Sequence, residues 1–368
     1  MEERTEEATE GRAEPIRLLR KDLRAAAKLM SAAEARYQVD LYYQIQEFRK
    51  ATANQIRSVE KTGEPILTID WTFATMELME NTIKRALEEY TDAEPSGMGV
   101  YMKAVVGVGP VIAAGLLARI DIKKTRTVGG IWRFCGQDPT SVWLGKKGAQ
   151  DAVEKHWNSK ATPEDNVARL ATECHRSIES LLKLARDERG RITKASTAAA
   201  LAKRPWDAAA KVLCWKAGES FTKLSGRDDC FYGRKYLERK AMEWEKNLTG
   251  ACSQQARDIL AAKQFGKNTT AYAWYSSKMS PSLARKSLDG QGDEISLLKP
   301  QKVGDEIPML PPGHIHARAK RWAVKLFLSH VYEEWYRRVY KKEPPVIYSL
   351  QMLGHVHKIE PERHNDRQ

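Results

Sequence analysis

No apolar run in the sequence approaches the ~18 residues that a membrane span needs, so no membrane-crossing helix is expected. The first residues, MEERTEEATEGRAEP, are acidic and polar. They lack the positive and apolar character of a secretory signal and the basic, acid-poor character of a transit peptide. The five cysteines, Cys135, Cys174, Cys214, Cys230 and Cys252, form no Cys-x-x-Cys pair, which argues against a cysteine zinc site. Reduced thiols, several of them buried, in a cytoplasmic protein are the expectation, with a prokaryotic or viral origin suspected. Strand–helix alternation is also missing, so the fold class expected is mostly α.

What is abundant is positive charge. The chain of 368 residues holds 61 Lys and Arg against 48 Asp and Glu, a net charge of +13. That length accommodates two or three modules. The excess favours a polyanionic partner, nucleic acid first and an anionic membrane surface second. Ten tryptophans serve either core packing or the stacking of bases.

Along the chain, 1–14 reads as a disordered N-terminus and 15–97 as a coiled-coil hairpin. From about Glu14 to Val59 one long helix is predicted. Ile16, Leu19, Leu23, Ala26, Met30, Ala33, Tyr37, Leu41, Ile45 and Phe48 fall at spacings of three and four, uninterrupted by Gly or Pro, the pattern of a coiled-coil seam. KTGEP at 61–65 closes it with turn chemistry. A second helix, roughly Asp70 to Tyr90, carries Trp71, Met76, Met79, Ile83, Ala86 and Leu87 on one face. A hairpin of this shape exposes much surface for its core and packs on a second copy or a neighbouring domain. A core follows at 98–140, a charged, Ala-rich helical insert at 141–203, and further helices at 204–284. An irregular loop is expected at 285–313, and a basic helix with a C-terminal tail at 314–368, its amphipathic part at 317–342.

The stretch VVGVGPVIAAGLLARI (Val105–Ile120) interrupts an apolar run with Gly107-Val108-Gly109-Pro110 and restarts it as a helix. A helix N-terminus offers unsatisfied N–H groups and a positive dipole end. A Gly-x-Gly turn before it lets a phosphate approach the backbone, and Pro suits the first helical turn. Gly107 and Gly109 are therefore candidate phosphate contacts, with Lys123, Lys124 and Arg126 downstream and Arg133 beyond them. The alternative is a tight helix–helix turn in which glycine serves packing only. A Walker A loop is excluded, because no Gly-Lys-Ser/Thr follows.

Two further basic sets are candidate nucleic-acid contacts. Lys203, Arg204, Lys211 and Lys216 make one; Arg318, Lys320, Arg321 and Lys325, with Trp322 and Phe327 interleaved, make the other. Their alternative is a solvated basic face over an aromatic core. His314-x-His316 and His355-x-His357 are the His-x-His pairs, and no metal site, cofactor or catalytic residue is assigned from them. Asp228–Asp229 and Glu243/Glu245 read as solvated carboxylates, and nothing visibly activates Ser220 or Ser225.

The hairpin leading into GVGPVIAAGLLARI and then TVGGIWRFCG resembles the Nop domain of box C/D ribonucleoproteins. It is also similar to the C-terminal domain of bridge-RNA-guided transposases, which share a Gly-x-Gly-Pro turn, an Ala-rich helix and a later G-x-x-P, supplied here by Gly136 and Pro139. RPWDAAAKVLCWKAGESF and HARAKRWAVKLFLSH resemble more closely the Tas proteins of TIGR-Tas systems. The resemblance covers about 15–140 and, through these two blocks, extends to about 357; the 141–203 insert departs from it. It implies a protein that holds a guide RNA, the RNA pairing with target DNA; the seam of the hairpin adds the expectation of a homodimer. The RuvC-type nuclease that some Tas proteins carry before the coiled coil has no counterpart in the ~14 residues preceding the hairpin, and no ββα-metal unit is visible. The form implied is the nuclease-lacking one, not an enzyme. A transposase-related serine recombinase and a plain helix-hairpin-helix DNA-binding protein are the alternatives.

Overall fold

The structure is a computed structural model that describes residues 21–262, 276–277, 301–302, 309–345 and 358–361. The expectations for 1–14, for Ile16 and Leu19, for most of 285–313 and for His355 and His357 lie outside the described residues. The fold is mostly α. It divides into two compact units, one formed by 1–131, 331–357 and 366–368, the other by 132–330 and 358–365.

The first unit begins with α1 (Lys21–Lys28), α2 (Ala32–Glu60) and α3 (Leu67–Asp92). The single long helix expected from Glu14 to Val59 is therefore two. Ser31 leaves helical geometry (φ −70°, ψ 158°) and its hydroxyl accepts from the N–H of Glu34 at 3.1 Å. A serine placed there starts a new helix by satisfying one of its orphan donors. Helices α2 and α3 pack as the expected hairpin, with α1 against α3.

Helix α4 (Met98–Ala104) and helix α5 (Pro110–Arg119) complete the group, and α5 packs on α2, α3 and α4. Every residue of α5 from Val111 to Ala118 is buried. Its Ala113, Ala114, Gly115 and Ala118 are small enough to let neighbouring backbones approach from several sides, and such an all-apolar helix has nowhere to sit but a core. The last turns of α14 (Pro312–Tyr340) bury Val331, Tyr332 and Trp335, and the Tyr332 hydroxyl donates to the Arg126 carbonyl at 2.8 Å.

The hairpin buries a narrower stripe than its heptad-like pattern announces. Ala35, Val39, Ile45, Ile83 and Leu87 are buried, whereas Leu23, Tyr37, Phe48, Trp71 and Met79 are exposed. Tyr37 and Phe48, eleven residues apart, fall on one side of α2 by the 3.6-residue repeat. Glu80 is buried between the two helices, taking hydrogen bonds from Gln46 (3.0 Å) and Arg49 (2.7 Å). From Lys21 to Gly97 the sequence carries ten Lys and Arg against thirteen Asp and Glu. The hairpin is thus acidic within a strongly basic protein.

In the second unit, α7 (Gly145–His156), α8 (Pro163–Glu173), α9 (Ile178–Ala185) and α10 (Lys194–Ala202) correspond to the 141–203 insert. They enclose a core of their own around Val153, Val167, Leu170, Leu181 and Leu201. Helix α6 (Val128–Phe134) leads into this unit. Helices α11 (Ala208–Lys223), α12 (Phe231–Leu248) and α13 (Ser253–Ala262) form the rest with the first turns of α14. Phe221, Tyr232 and Phe327 meet at ring separations of 5.0–5.6 Å in its aromatic core. Ser276–Ser277 (β1) and Gln301–Lys302 (β2) pair as a short antiparallel ladder. Four of the five cysteines are buried and none forms a disulfide. The C-terminal helix begins at Pro312 rather than 317, because proline fits the first turn.

Candidate nucleic-acid interface

In the first unit, the Gly107-Val108-Gly109-Pro110 turn does what a helix start requires. Gly107 sits at φ +98°, a conformation glycine adopts readily and other residues resist. Gly109 is the N-cap of α5, with Pro110 in the first turn and no side chain capping the helix. The first N–H groups of α5 are therefore left without an intrahelical partner. Gly109 itself has an ordinary extended backbone (φ −84°, ψ 175°), is exposed, and a Cβ built on it would meet nothing within 4 Å. Neither packing nor backbone conformation requires a glycine there.

Lys123, Lys124 and Arg126 are exposed, but they follow the other end of α5. Ten residues at 1.5 Å each set the two ends about 15 Å apart along the axis. The turn and this cluster therefore do not surround one phosphate. Lys124 is also partnered, with Asp121 at 3.3 Å.

The second unit gathers candidates that are far apart in sequence. Arg204 precedes α11, Lys211 lies on its first turn and Arg321 on α14. Each is close enough to act electrostatically on another: the Lys211 ammonium has its pKa lowered by burial, then by Arg321 and Arg204. Arg321 is lowered too, by partial burial and then by Arg318. Among the described residues, no carboxylate forms an ion pair with Arg204, Lys211 or Arg321. Lys211 is half-buried, whereas Arg204 and Arg321 are exposed, so water screens part of their repulsion and a docking anion would relieve the rest.

Aromatic rings hold two of these cations in place. Lys211 Nζ lies 3.7 Å from the centroid of the Trp206 ring, and the Arg204 guanidinium 4.8 Å from that of Trp143. Gly136 forms the floor beneath Lys211 and Trp206. It adopts φ +63°, and a Cβ there would fall 2.8 Å from Lys211 Cδ and 2.9 Å from Trp206 Cγ. The Asp207 N–H donates to the Phe134 carbonyl at 2.9 Å, pinning the segment that carries Trp206.

The remaining candidates are placed differently. Arg318 is spent on the buried Glu243 at 3.0 Å and on Gln255 at 3.1 Å. Lys320 pairs with Glu219 and covers the Trp215 ring at 5.5 Å. Lys325 covers Trp132 at 4.1 Å, and burial lowers its pKa while Asp138 opposes the shift. Arg133 pairs with Asp138 at 3.2 Å. Lys203 is exposed and Lys216 half-buried. The basic residues of α14 thus divide: Arg318 and Lys320 pair with carboxylates, whereas Arg321 and Lys325 form no ion pair among the described residues.

Arg176 was not anticipated from the sequence. Its Nη2 donates to the Lys203 carbonyl at 2.7 Å, while its buried Nη1 has no hydrogen-bond partner. Nothing in the local sequence distinguishes it from the other charges of the insert.

The residues weighed for other chemistry have structural employment. Glu243 is not the solvated carboxylate expected: it is buried, because Arg239 and Arg318 both pair with it. Asp229 is exposed and pairs with Arg227 at 2.6 Å. Ser225 donates to the Thr222 carbonyl at 2.8 Å. His314 and His316 lie on helix α14, where residues two apart face different directions, and His316 Nδ1 bonds the Tyr236 hydroxyl at 2.8 Å. Among the described residues no group of three His, Cys, Asp or Glu is arranged to hold a metal ion, and no helix is long and apolar enough to cross a membrane.

No protein-family model, curated protein or solved structure matches the chain.

Proposed function

We propose that the chain binds RNA as the protein component of a guide-RNA ribonucleoprotein, the guide pairing with DNA and the protein holding the RNA without cutting the DNA. The observation that carries the RNA-binding part is the Arg204–Lys211–Arg321 cluster, in which both arginines act on the Lys211 ammonium and, among the described residues, no carboxylate forms an ion pair with any of the three. A polyanion docking on this face would meet all three positive charges at once. The net charge of +13 and the uncapped, exposed start of α5 support the same reading. Guidance and DNA targeting rest on the resemblance to Tas and Nop proteins and on the division of labour in guided systems, where pairing reads sequence and protein reads shape. The exposed Leu23, Tyr37 and Phe48 support a homodimer built on the hairpin.

The test is purification of the full chain together with the RNA encoded beside its gene. Short RNA should co-purify, and affinity for it should fall steeply with salt, by about 0.7 in log–log slope for each phosphate contacted on a single strand. The RNA-loaded protein should bind matching DNA and leave it uncut with Mg²⁺ or Mn²⁺. DNA binding whose sequence preference survives RNase would instead favour the plain DNA-binding alternative.

A further inference from the structure

We propose that Trp143 is a stacking platform for an unpaired base, and that Arg204, Lys211 and Arg321 hold the adjoining phosphates, so that this face of the second unit takes single-stranded rather than duplex nucleic acid. The inference rests on the nucleic-acid reading above and names the form of the ligand at that site.

Trp143 stands just before α7, and its side chain is 48% exposed. An indole left half in water forgoes burial that a large apolar ring ordinarily gains. Yet this ring is fixed: its Nε1–H donates to the Ala202 carbonyl at 2.8 Å, which sets its orientation. The Arg204 guanidinium lies 4.8 Å from the ring centroid, and Arg204 in turn acts on Lys211. An anchored, exposed aromatic plane thus adjoins a cation cluster through one shared residue. A nucleotide needs these two things, a flat surface for its base and positive charge for its phosphate.

Among the described residues, the other tryptophans do not combine these features, and Trp157 is partly buried. Trp215 is comparably exposed at 54%, but the lysine over it is neutralised by Glu219. Trp132, Trp206 and Trp322 are partly buried, and Trp244 and Trp335 are buried. Trp71 is exposed on the acidic hairpin, where a polyanion is repelled.

Stacking selects single strands for a geometric reason. In a duplex each base face is already covered by its neighbours, and reaching one costs the unstacking of a step. An unpaired base offers its face freely, and stacking on an aromatic side chain tolerates any base.

The experiment compares wild-type protein with Trp143→Ala and Trp143→Phe in the full chain. Three probes of equal length are titrated: a single-stranded RNA, the duplex of the same sequence, and an abasic oligonucleotide that keeps the phosphates. Loss of one base stack lowers affinity by about tenfold. Trp143→Ala should lose that factor on the single strand while its affinity for duplex and abasic strand stays within about twofold of wild type, and Trp143→Phe should retain most of the binding. As a measurement that needs no variant, a 5-iodouridine-substituted single strand should photocrosslink to Trp143 of the wild-type protein. An equal loss on all three probes, no loss on any, or no crosslink at Trp143 overturns the stacking proposal and leaves the nucleic-acid reading standing. Failure of wild type to bind any probe at low salt removes both.

Discussion

An aspartate at Gly109 separates a phosphate contact from a packing turn, because it drives stability and binding in opposite directions. Gly109 is the N-cap of α5, its backbone is extended, and the space its Cβ would enter is open. A side chain there therefore meets no clash and no backbone strain. Relative to glycine, Asp gains as an N-cap by a few tenths of a kcal/mol, and its charge at the positive end of the helix adds about 0.3–1 kcal/mol. Replacing a flexible glycine lowers the entropy of the unfolded chain for a further 0.4–1 kcal/mol, approximately. Together these stabilise the first unit by about 1–2 kcal/mol. The same carboxylate occupies the N–H groups a phosphate would use and repels it. A charge-assisted hydrogen bond of roughly 1.5–3 kcal/mol is then lost, a weakening of at least tenfold. Thermal melting followed by circular dichroism reads the first effect, and RNA titration at two salt concentrations reads the second. A Gly109→Asp protein that melts no lower than wild type and binds RNA equally well would refute the phosphate-contact reading. A lowered melting temperature would refute the account of the turn's geometry.

Arg321→Gln should weaken RNA binding about tenfold and lower the salt slope by about 0.7, while leaving the melting temperature unchanged or raised, since it removes a cation facing other cations. A fall in melting temperature with no change in slope would show a structural role instead. The lowered pKa of Lys211 sets a pH dependence. Between that value and the ordinary lysine value of about 10.4, the folded chain binds fewer protons than the unfolded one, so this group's contribution to stability rises with pH. RNA affinity should fall over the same window and Lys211→Arg should abolish that fall, which titrations from neutral to alkaline pH will measure. Gly136→Ala should lower the melting temperature and weaken RNA binding together, because its Cβ would displace both Lys211 and Trp206; binding that holds up in a destabilised protein would refute the role of that floor. Leu23→Asp with Leu41→Asp should convert a dimer to a monomer in light scattering; a monomeric wild type sinks the assembly claim.

Local signals in the sequence were dependable where one element sufficed to decide the outcome. The stretch from Gly145 to Ala202 is helical, as its Ala-rich composition indicates, and the glycine–proline turn does start a helix at Pro110. The break before α2 was also legible: Ser31-Ala-Ala-Glu34 matches the spacing of a capping box, but the apolar spacing runs through it and masked the stop. The heptad-like seam misplaced Tyr37 and Phe48, and the apolar face of the second helix misplaced Trp71, because periodicity shows that residues share a face, not what covers that face. The cation cluster was illegible for a different reason. Arg204 and Arg321 were both candidates, but whether either would find a carboxylate depends on contacts between distant segments. Arg318 and Arg321, three residues apart on one helix, met opposite fates because only one points at Glu243.

The charge is distributed unevenly along the chain, and that has a consequence for the protein in solution. The hairpin carries a small negative excess and the rest of the chain carries the positive charge, so the whole molecule keeps a net charge of +13. Copies of the RNA-free protein are therefore expected to repel one another, a repulsion that salt screens within a Debye length of about 10 Å at 0.1 M. A bound polyanion would cancel that charge, so the loaded form is expected to lose the repulsion that keeps free copies apart.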